Sequence, residues 1–395
     1  MNWGKNKLLL LGVLLLLPAL GGCWDSSELN TVAITSVIGI EQIRDSVHLA
    51  LEIYNPAGEG ELQGTQKANK AKYVQSTGQS FFDAIRNVNI LFDKKIFLAH
   101  TKELIFNEET AKNGFVGLLD LWARQHATWP DAYLLVSRGV RPSEVIGVTN
   151  GLEETSANYI EDLIANSKDT GKTVRTTAFD FLKEFYNGGY PVVGVITKKE
   201  KAKDAQENST EDELETEGAA VFSGQNMIGF LNGPETRGLN FATGKIRSAI
   251  IVSPSVEGQG VNSLEILNAG RKIDVHMEGE KVLFDLKIDI SAMLGGETGR
   301  PDTSGNPSVM KAIAEQNSET VRREVEQVIT KVQEDWRTDI FGFGQALHQK
   351  YPDQWKTMKN QWNQIFPDAE ITVTVKTDLK WQGLLDTPLE RRSES

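Results

Sequence analysis

Cysteine is almost missing from this chain: Cys23 is the one thiol in 395 residues. A lone thiol cannot close an internal disulfide, so the fold must stand on its own packing. Histidine is nearly as scarce. His48, His100, His126, His276 and His348 are scattered, with no His-x-x-x-His pair, so a zinc site would need distant side chains to converge. After residue 20 no run approaches the ~20 apolar residues of a membrane-spanning helix, and that part of the chain reads as soluble. Positive charge is in deficit too: 42 Lys and Arg against 54 Asp and Glu, a net charge of -12. An acidic surface excludes nucleic acid as a general partner and offers anionic lipid no polybasic tract, although it says nothing of local patches.

The one long apolar run lies at the start. Lys5 and Lys7 precede a run from Leu8 to Leu20, broken by Gly12 and Pro18, and Leu20-Gly21-Gly22-Cys23 follows at once. A basic start, a short apolar core and small residues at the end make a secretory signal peptide. The run is too short, with Pro18 near its end, for a spanning helix. Leu-Gly-Gly-Cys resembles the bacterial lipobox, where diacylglycerol is joined to the cysteine sulfur and a peptidase cuts just ahead of it. Small residues give the peptidase access, and the thiol is the lipid acceptor. That assigns Cys23 as the lipidation site and the Gly22–Cys23 bond as the cleavage site. The alternative is an ordinary signal peptide with an incidental cysteine. No cofactor is expected beyond covalent diacylglycerol and an N-acyl chain on Cys23. Each buried methylene is worth ~0.8 kcal/mol, and two or more chains together anchor stably. Removing residues 1–22 leaves the mature protein more acidic still, since Lys5 and Lys7 go with them.

Composition shifts divide the chain into a signal peptide (1–22), a lipidated tether (23–30) and an N-terminal α+β region (31–197), divisible into lobes 31–137 and 138–197. A charged linker (198–216), a C-terminal α+β domain (217–390) and a polar tail (391–395) follow. Val32–Ile40 and Val47–Tyr54 alternate around Arg44-Asp45-Ser46 and predict a hairpin. The Gly-rich stretch 57–70 reads as a loop and Ala71–Gln75 as a third strand. Ser80 with Asp83 three residues on marks a helix start. Ile96–Thr101 and Glu103–Phe106 read as strand, Glu109–Gln125 as one helix, Ala132–Ser137 as a buried strand, 152–187 as mostly helix and Tyr190–Thr197 as strand. Beyond the linker, Gly218–Phe222 and Met227–Leu231 predict a second hairpin. Leu264–Ala269, Arg271–Glu278 and Val282–Ala292 predict a meander, and apolar residues from Ile313 to Trp336 a long helix. Mostly antiparallel sheets with helices set apart is the α+β class.

Fragments of catalytic motifs are incomplete. Asp169-Thr170-Gly171-Lys172-Thr173 has the end of a phosphate-binding loop, but Asn166 stands where the leading glycine must let the backbone wrap phosphate. Ser308-Val309-Met310-Lys311 matches the Ser-x-x-Lys of penicillin-binding enzymes, yet the partner triplets Ser-Asp-Asn and Lys-Thr-Gly are missing. No reaction is indicated and the chain reads as a non-enzyme.

Several blocks act in combination. Cys23-Trp24-Asp25 with Glu28-Leu29-Asn30, Asp83-Ala84-Ile85-Arg86 with Asn89, and Lys95–Lys102 are the first. Gly218–Phe222, Gly229–Asn232, Glu235–Gly238, Asp339–His348, Tyr351-Pro352 and Trp355 are the rest. Together they resemble the Ger(x)C family, the lipoprotein C subunits of spore nutrient-germinant receptors, over nearly the whole mature chain. The resemblance implies a multi-domain α+β fold, held by its lipid on the extracytoplasmic face of the cell membrane or spore inner membrane. It implies two integral membrane subunits as partners, in a complex that triggers germination in response to nutrients. Family members usually carry tryptophan shortly after Gly238, where this chain has Asn240-Phe241, and often glutamate in place of Gln345. Glu235, Thr236 and Arg237, in a turn after Gly233-Pro234, are the candidate exposed partner contact. Arg86 and His100 are expected to be partly buried, and Gly342 and Gly344 to mark a helix break whose aromatic neighbours plug the core. The alternatives are a solute-binding lipoprotein of a transporter, which the meander opposes, and a cell-wall enzyme using Ser308 and Lys311.

Overall fold

The computed structural model describes residues 32–54, 71–124, 128–149, 153–199, 212–255, 260–298 and 306–380. The signal peptide, Gly22, Cys23, the tether, the 57–70 loop, most of the charged linker and the polar tail lie outside them.

The first hairpin forms as its alternation requires. Strands β1 (Val32–Ile43) and β2 (Ser46–Tyr54) pair antiparallel around Arg44, which takes a left-handed φ of 53°. β3 (Ala71–Gly78) adds to β2. Helix α1 (Phe81–Leu91) starts at Ser80, whose hydroxyl accepts the Asp83 N–H, while the Asp83 carboxylate accepts the N–H of Gln79. Its buried face is Phe81, Ala84 and Val88.

The chain then returns to β1 in parallel. β4 (Lys95–Phe97) pairs with its first residues and β5 (Glu103–Asn107) with its later ones. The predicted helix 109–125 is two, α2 (Glu108–Asn113) and α3 (Val116–Ala123), because Gly114 sits at φ 98° between them. β6 (Tyr133–Ser137) follows parallel to β5. After α4 (Pro142–Val145), α5 (Ser156–Asn166) and α6 (Ala178–Tyr186), β7 (Val192–Lys199) is parallel to β6. Among the described residues antiparallel strand pairs outnumber parallel ones, and the α+β class holds. The parallel centre is a feature the antiparallel reading did not anticipate.

Past the linker, β8 (Glu213–Glu215) pairs β7, and the hairpin of β9 (Ala219–Ser223) and β10 (Asn226–Leu231) also joins it through β9. The ladder is therefore continuous across the division expected at residue 217. One sheet results, in the order β10-β9-β7-β6-β5-β1-β2-β3. One face packs on α1, α2, α3 and α6, where Phe106, Phe115, Phe181 and Phe222 meet at centroid distances of 4.3 to 5.3 Å. The other packs on α4 and α5 through Val145, Ile160 and Ile164.

β9 divides its side chains between two cores. Ala220 and Phe222 join the aromatic core just described, whereas Ala219 and Val221 face the core of the second half. That second core begins with α7 (Gly233–Ala242) and a four-stranded sheet in the order β11-β12-β13-β14. Its strands are β11 (Ala249–Pro254), β12 (Val261–Glu278), β13 (Lys281–Glu297) and, last in the chain, β14 (Glu370–Lys380). What reads as two strands around Gly270 is one: Gly270 keeps its register opposite Asp289 and β12 runs 18 residues unbroken. The long helix α8 (Pro307–Lys331) covers the sheet with Ile313, Val321, Val325 and Val328. After a π-turn ending at Arg337, φ 57°, come α9 (Phe343–Lys350), α10 (Pro352–Met358) and α11 (Trp362–Ile365).

Candidate functional site

The triplet expected to be an exposed contact is instead the clamp between α7 and α8. No turn follows Gly233-Pro234; Asn232-Gly233-Pro234 starts α7. Asn232 caps the helix and Pro234 occupies its first turn, where a missing N–H costs nothing. Glu235 closes a capping box, its carboxylate accepting the Asn232 N–H at 2.8 Å. The same carboxylate holds Lys331 Nζ at 2.8 Å, and Lys331 also lies over the Trp336 ring. Thr236 is fully buried. Arg237 grips Glu324 with two nitrogens and donates a third hydrogen bond to the Ile250 carbonyl. The side chains of this pair are only 12% and 13% exposed, so removing one partner would strand the other.

Glycines let these pieces close. A Cβ on Gly238 would lie 2.5 Å from the Glu324 carbonyl oxygen, and one on Gly229 would lie 2.5 Å from the Trp336 ring. Gly238→Ala is therefore expected to push α7 off α8 and destabilise the protein by ~1–3 kcal/mol in denaturant titration. An unchanged midpoint would show that the helices do not need this approach. Asn240 ties α7 back to the first half. Its amide donates to the carbonyls of Gly171 and Thr173 at 2.9 and 2.8 Å, tying α7 to the extended segment ahead of α6. The phosphate-loop lookalike is thus an internal acceptor turn.

The second motif cluster surrounds Asp339. One carboxylate oxygen accepts the N–H groups of Phe341, Gly342 and Phe343 at 3.2, 2.9 and 3.1 Å. The other accepts those of Gly344 and the Trp362 indole at 2.6 and 3.0 Å. Gly342 takes φ 83°, and Phe341 and Phe343 are buried against Phe284 and Phe366, as a helix break plugged by aromatic groups requires. A Cβ on Gly344 would meet both Trp355 and Trp362 at 2.8 Å.

Two buried acids belong to no motif block. Glu52 is completely buried and accepts from the Ser36 hydroxyl at 2.7 Å, the Ser156 and Ala157 N–H groups at 2.7 and 3.1 Å, and the Ser156 hydroxyl. It seats the N-terminus of α5 on β2, where a negative charge is favoured. Glu103, the first residue of β5, is completely buried, and among the described residues neither of its oxygens has a hydrogen-bond partner. Burial above all holds its carboxyl well above the usual carboxylate range; nearby Lys102 opposes, and Glu161 and Glu52 reinforce the effect. A lone acid inside an apolar strand was the available signal in both Leu49–Ile53 and Glu103–Phe106.

The remaining candidates are at the surface. Arg86 and His100 are exposed, not partly buried, because α1 turns Arg86 away from its Phe81–Val88 face. Ser308 is exposed in the first turn of α8, and Lys311 is exposed and points to Glu315 at 3.7 Å. A shallow groove of about 490 Å³ runs between α8 and β14, but its charged wall is self-paired, Arg322 holding Glu319 and Glu326. No group of three or more His, Cys, Asp or Glu among the described residues is placed to hold a metal, and no helix among them is long and apolar enough to cross a membrane.

The architecture is that of a multi-domain α+β protein. It is similar to the crystal structure of the GerBC protein, with a TM-score of 0.58 and 17% identity over 87% of this chain and 96% of that one. Residues 25–198 match the family described as spore germination protein N-terminal domain, and residues 217–383 match spore germination B3/GerAC like, C-terminal. Spore germination protein KC of Bacillus subtilis (strain 168) is 25% identical over 97% of this chain and 98% of its own. Spore germination protein B3 of the same organism is 23% identical over 90% and 92%. The chain belongs to the Ger(x)C family, the C subunits of spore germinant receptors.

Proposed function

We propose that this protein is a lipid-anchored C subunit of a spore germinant receptor. Acyl chains on Cys23 hold it on the extracytoplasmic face of the membrane, and it acts through contact with two integral membrane subunits. The observation that carries this is the joint match of both family domains, 25–198 and 217–383, directly behind the Leu20-Gly21-Gly22-Cys23 segment. Confinement to a surface raises the local concentration of the subunit near its partners, so weak contacts suffice. The polar clusters of the second half fit a scaffold: Asp339, Glu235 and Arg237 are spent on internal bonds. The alternatives gain nothing from the geometry, since Lys311 turns to Glu315 and the groove beside α8 lies within one half.

Cys23→Ala is the test. The variant is expected to shift from the membrane to the soluble fraction and to lower the germination response, with the fold intact by circular dichroism. Membrane retention and germination at wild-type levels would overturn the proposal.

A further inference from the structure

The end of the sheet nearest the anchor carries an apolar and basic corner. β1 begins at Val32, nine residues after Cys23, so an extended tether spans at most about 30 Å. Val32 pairs with Lys95 of β4, and β2 ends and β3 begins at this same end of the sheet, where Tyr54 lies opposite Ala71. Leu91, the last residue of α1, is four residues from Lys95, within about 14 Å along the chain. Here Ile90 is 79% exposed and Leu91 66% exposed, the two most exposed large hydrophobic residues of α1. Phe82, Arg86 and Ile90 follow at four-residue spacing and form one exposed stripe of the helix. Lys72 lies 4.9 Å above the Phe92 ring, and Lys94 and Lys95 follow; Asp93 is the acid among them. A cationic cluster beside bare aliphatic side chains contrasts with a protein of net charge -12.

We propose that this corner rests on an anionic bilayer, with Ile90 and Leu91 entering the interface and Lys72, Lys94 and Lys95 meeting lipid headgroups. Exposed aliphatic groups bordered by cations are what an interfacial contact needs. The tether leaves the corner little choice of distance, and the contact would fix the orientation of the whole sheet relative to the membrane. This inference rests on the anchored reading above.

The scarcity of thiols gives the test. With Cys23 acylated, Leu91→Cys introduces the sole reactive thiol, as does Val252→Cys on exposed β11 of the second sheet. Each full-length lipidated variant is labelled with an NBD maleimide and reconstituted in phosphatidylcholine vesicles with or without phosphatidylglycerol. The label at 91, not at 252, is expected to shift to the blue and to be quenched about twofold by brominated lipid, more strongly with phosphatidylglycerol. A label at 91 as wet as that at 252, on protein whose Cys23 is acylated by mass spectrometry, overturns the corner and leaves the anchor standing. Equal quenching at both positions, or quenching indifferent to phosphatidylglycerol, also overturns it. Maleimide labelling of the wild-type protein would show a free Cys23 and remove the anchor itself.

Discussion

Asp339→Ala is expected to lower the stability of the second half by ~3–5 kcal/mol, the largest loss from any single side chain outside the apolar cores. Five donors converge on that carboxylate: four successive backbone N–H groups and the Trp362 indole. A hydrogen bond to a charged acceptor contributes ~1.5–3 kcal/mol, and here one charge satisfies the start of α9 and the aromatic plug together. Asp339→Asn separates the two oxygens. If Oδ1 stays a carbonyl, three donors keep their acceptor, but the amide then turns N–H toward the N–H of Gly344 and of Trp362. The asparagine variant should therefore lose about half as much as alanine. Tryptophan emission reads the result, because Trp355 and Trp362 meet edge to face at a centroid distance of 5.4 Å beside this loop. An alanine variant that unfolds within ~0.5 kcal/mol of wild type would mean that the loop is held by its aromatic packing alone.

The second large effect is expected at Glu52. Its carboxylate is shielded from water and receives two N–H groups of the α5 N-terminus and two serine hydroxyls. Glu52→Ala leaves those donors without an acceptor in a dry site, at a cost of ~3–4 kcal/mol. Glu52→Gln keeps the shape and one acceptor, and should cost roughly 2 kcal/mol. Hydrogen exchange is the discriminating measurement. Amides of residues 156–166 should lose protection in both variants, while those of α8 stay protected. Uniform loss throughout the chain, or none in α5, would contradict a local role. By contrast the exposed pair Lys112–Glu109 should be worth at most ~0.5 kcal/mol, since solvent screens it.

Much of this architecture is legible in the residues. Alternation around Arg44-Asp45 specifies the first hairpin, Ser80 and Asp83 specify the start of α1, and Val321, Val325 and Val328 specify the buried stripe of α8. The α+β class and the family resemblance rest on such local signals and on motif blocks, and both hold. The rest of the architecture depends on contacts far apart in sequence. Leu104-Ile105-Phe106 and Leu134-Leu135-Val136 are uninterrupted apolar strands separated by helices, which is the pattern of a parallel sheet buried on both faces. The signal was present, but the hairpins on either side of it suggested antiparallel pairing throughout. Glu235-Thr236-Arg237 follow Gly-Pro, and Gly-Pro opens a helix as readily as it makes a turn. Their burial depends on Lys331 and Glu324, almost a hundred residues away, and no local pattern announces them. Gly114 and Gly270 show the same ambiguity: one breaks a helix with a positive φ, and the other passes unnoticed through a strand.

The double allegiance of β9 has a mechanical consequence. A hinge between the halves would have to peel Ala219 and Val221 from one interior or Ala220 and Phe222 from the other. Neither interior can loosen at this strand without the loss being felt in its neighbour. The two halves should therefore tilt as a single lever, so that a rotation imposed at β1 is passed on to α8.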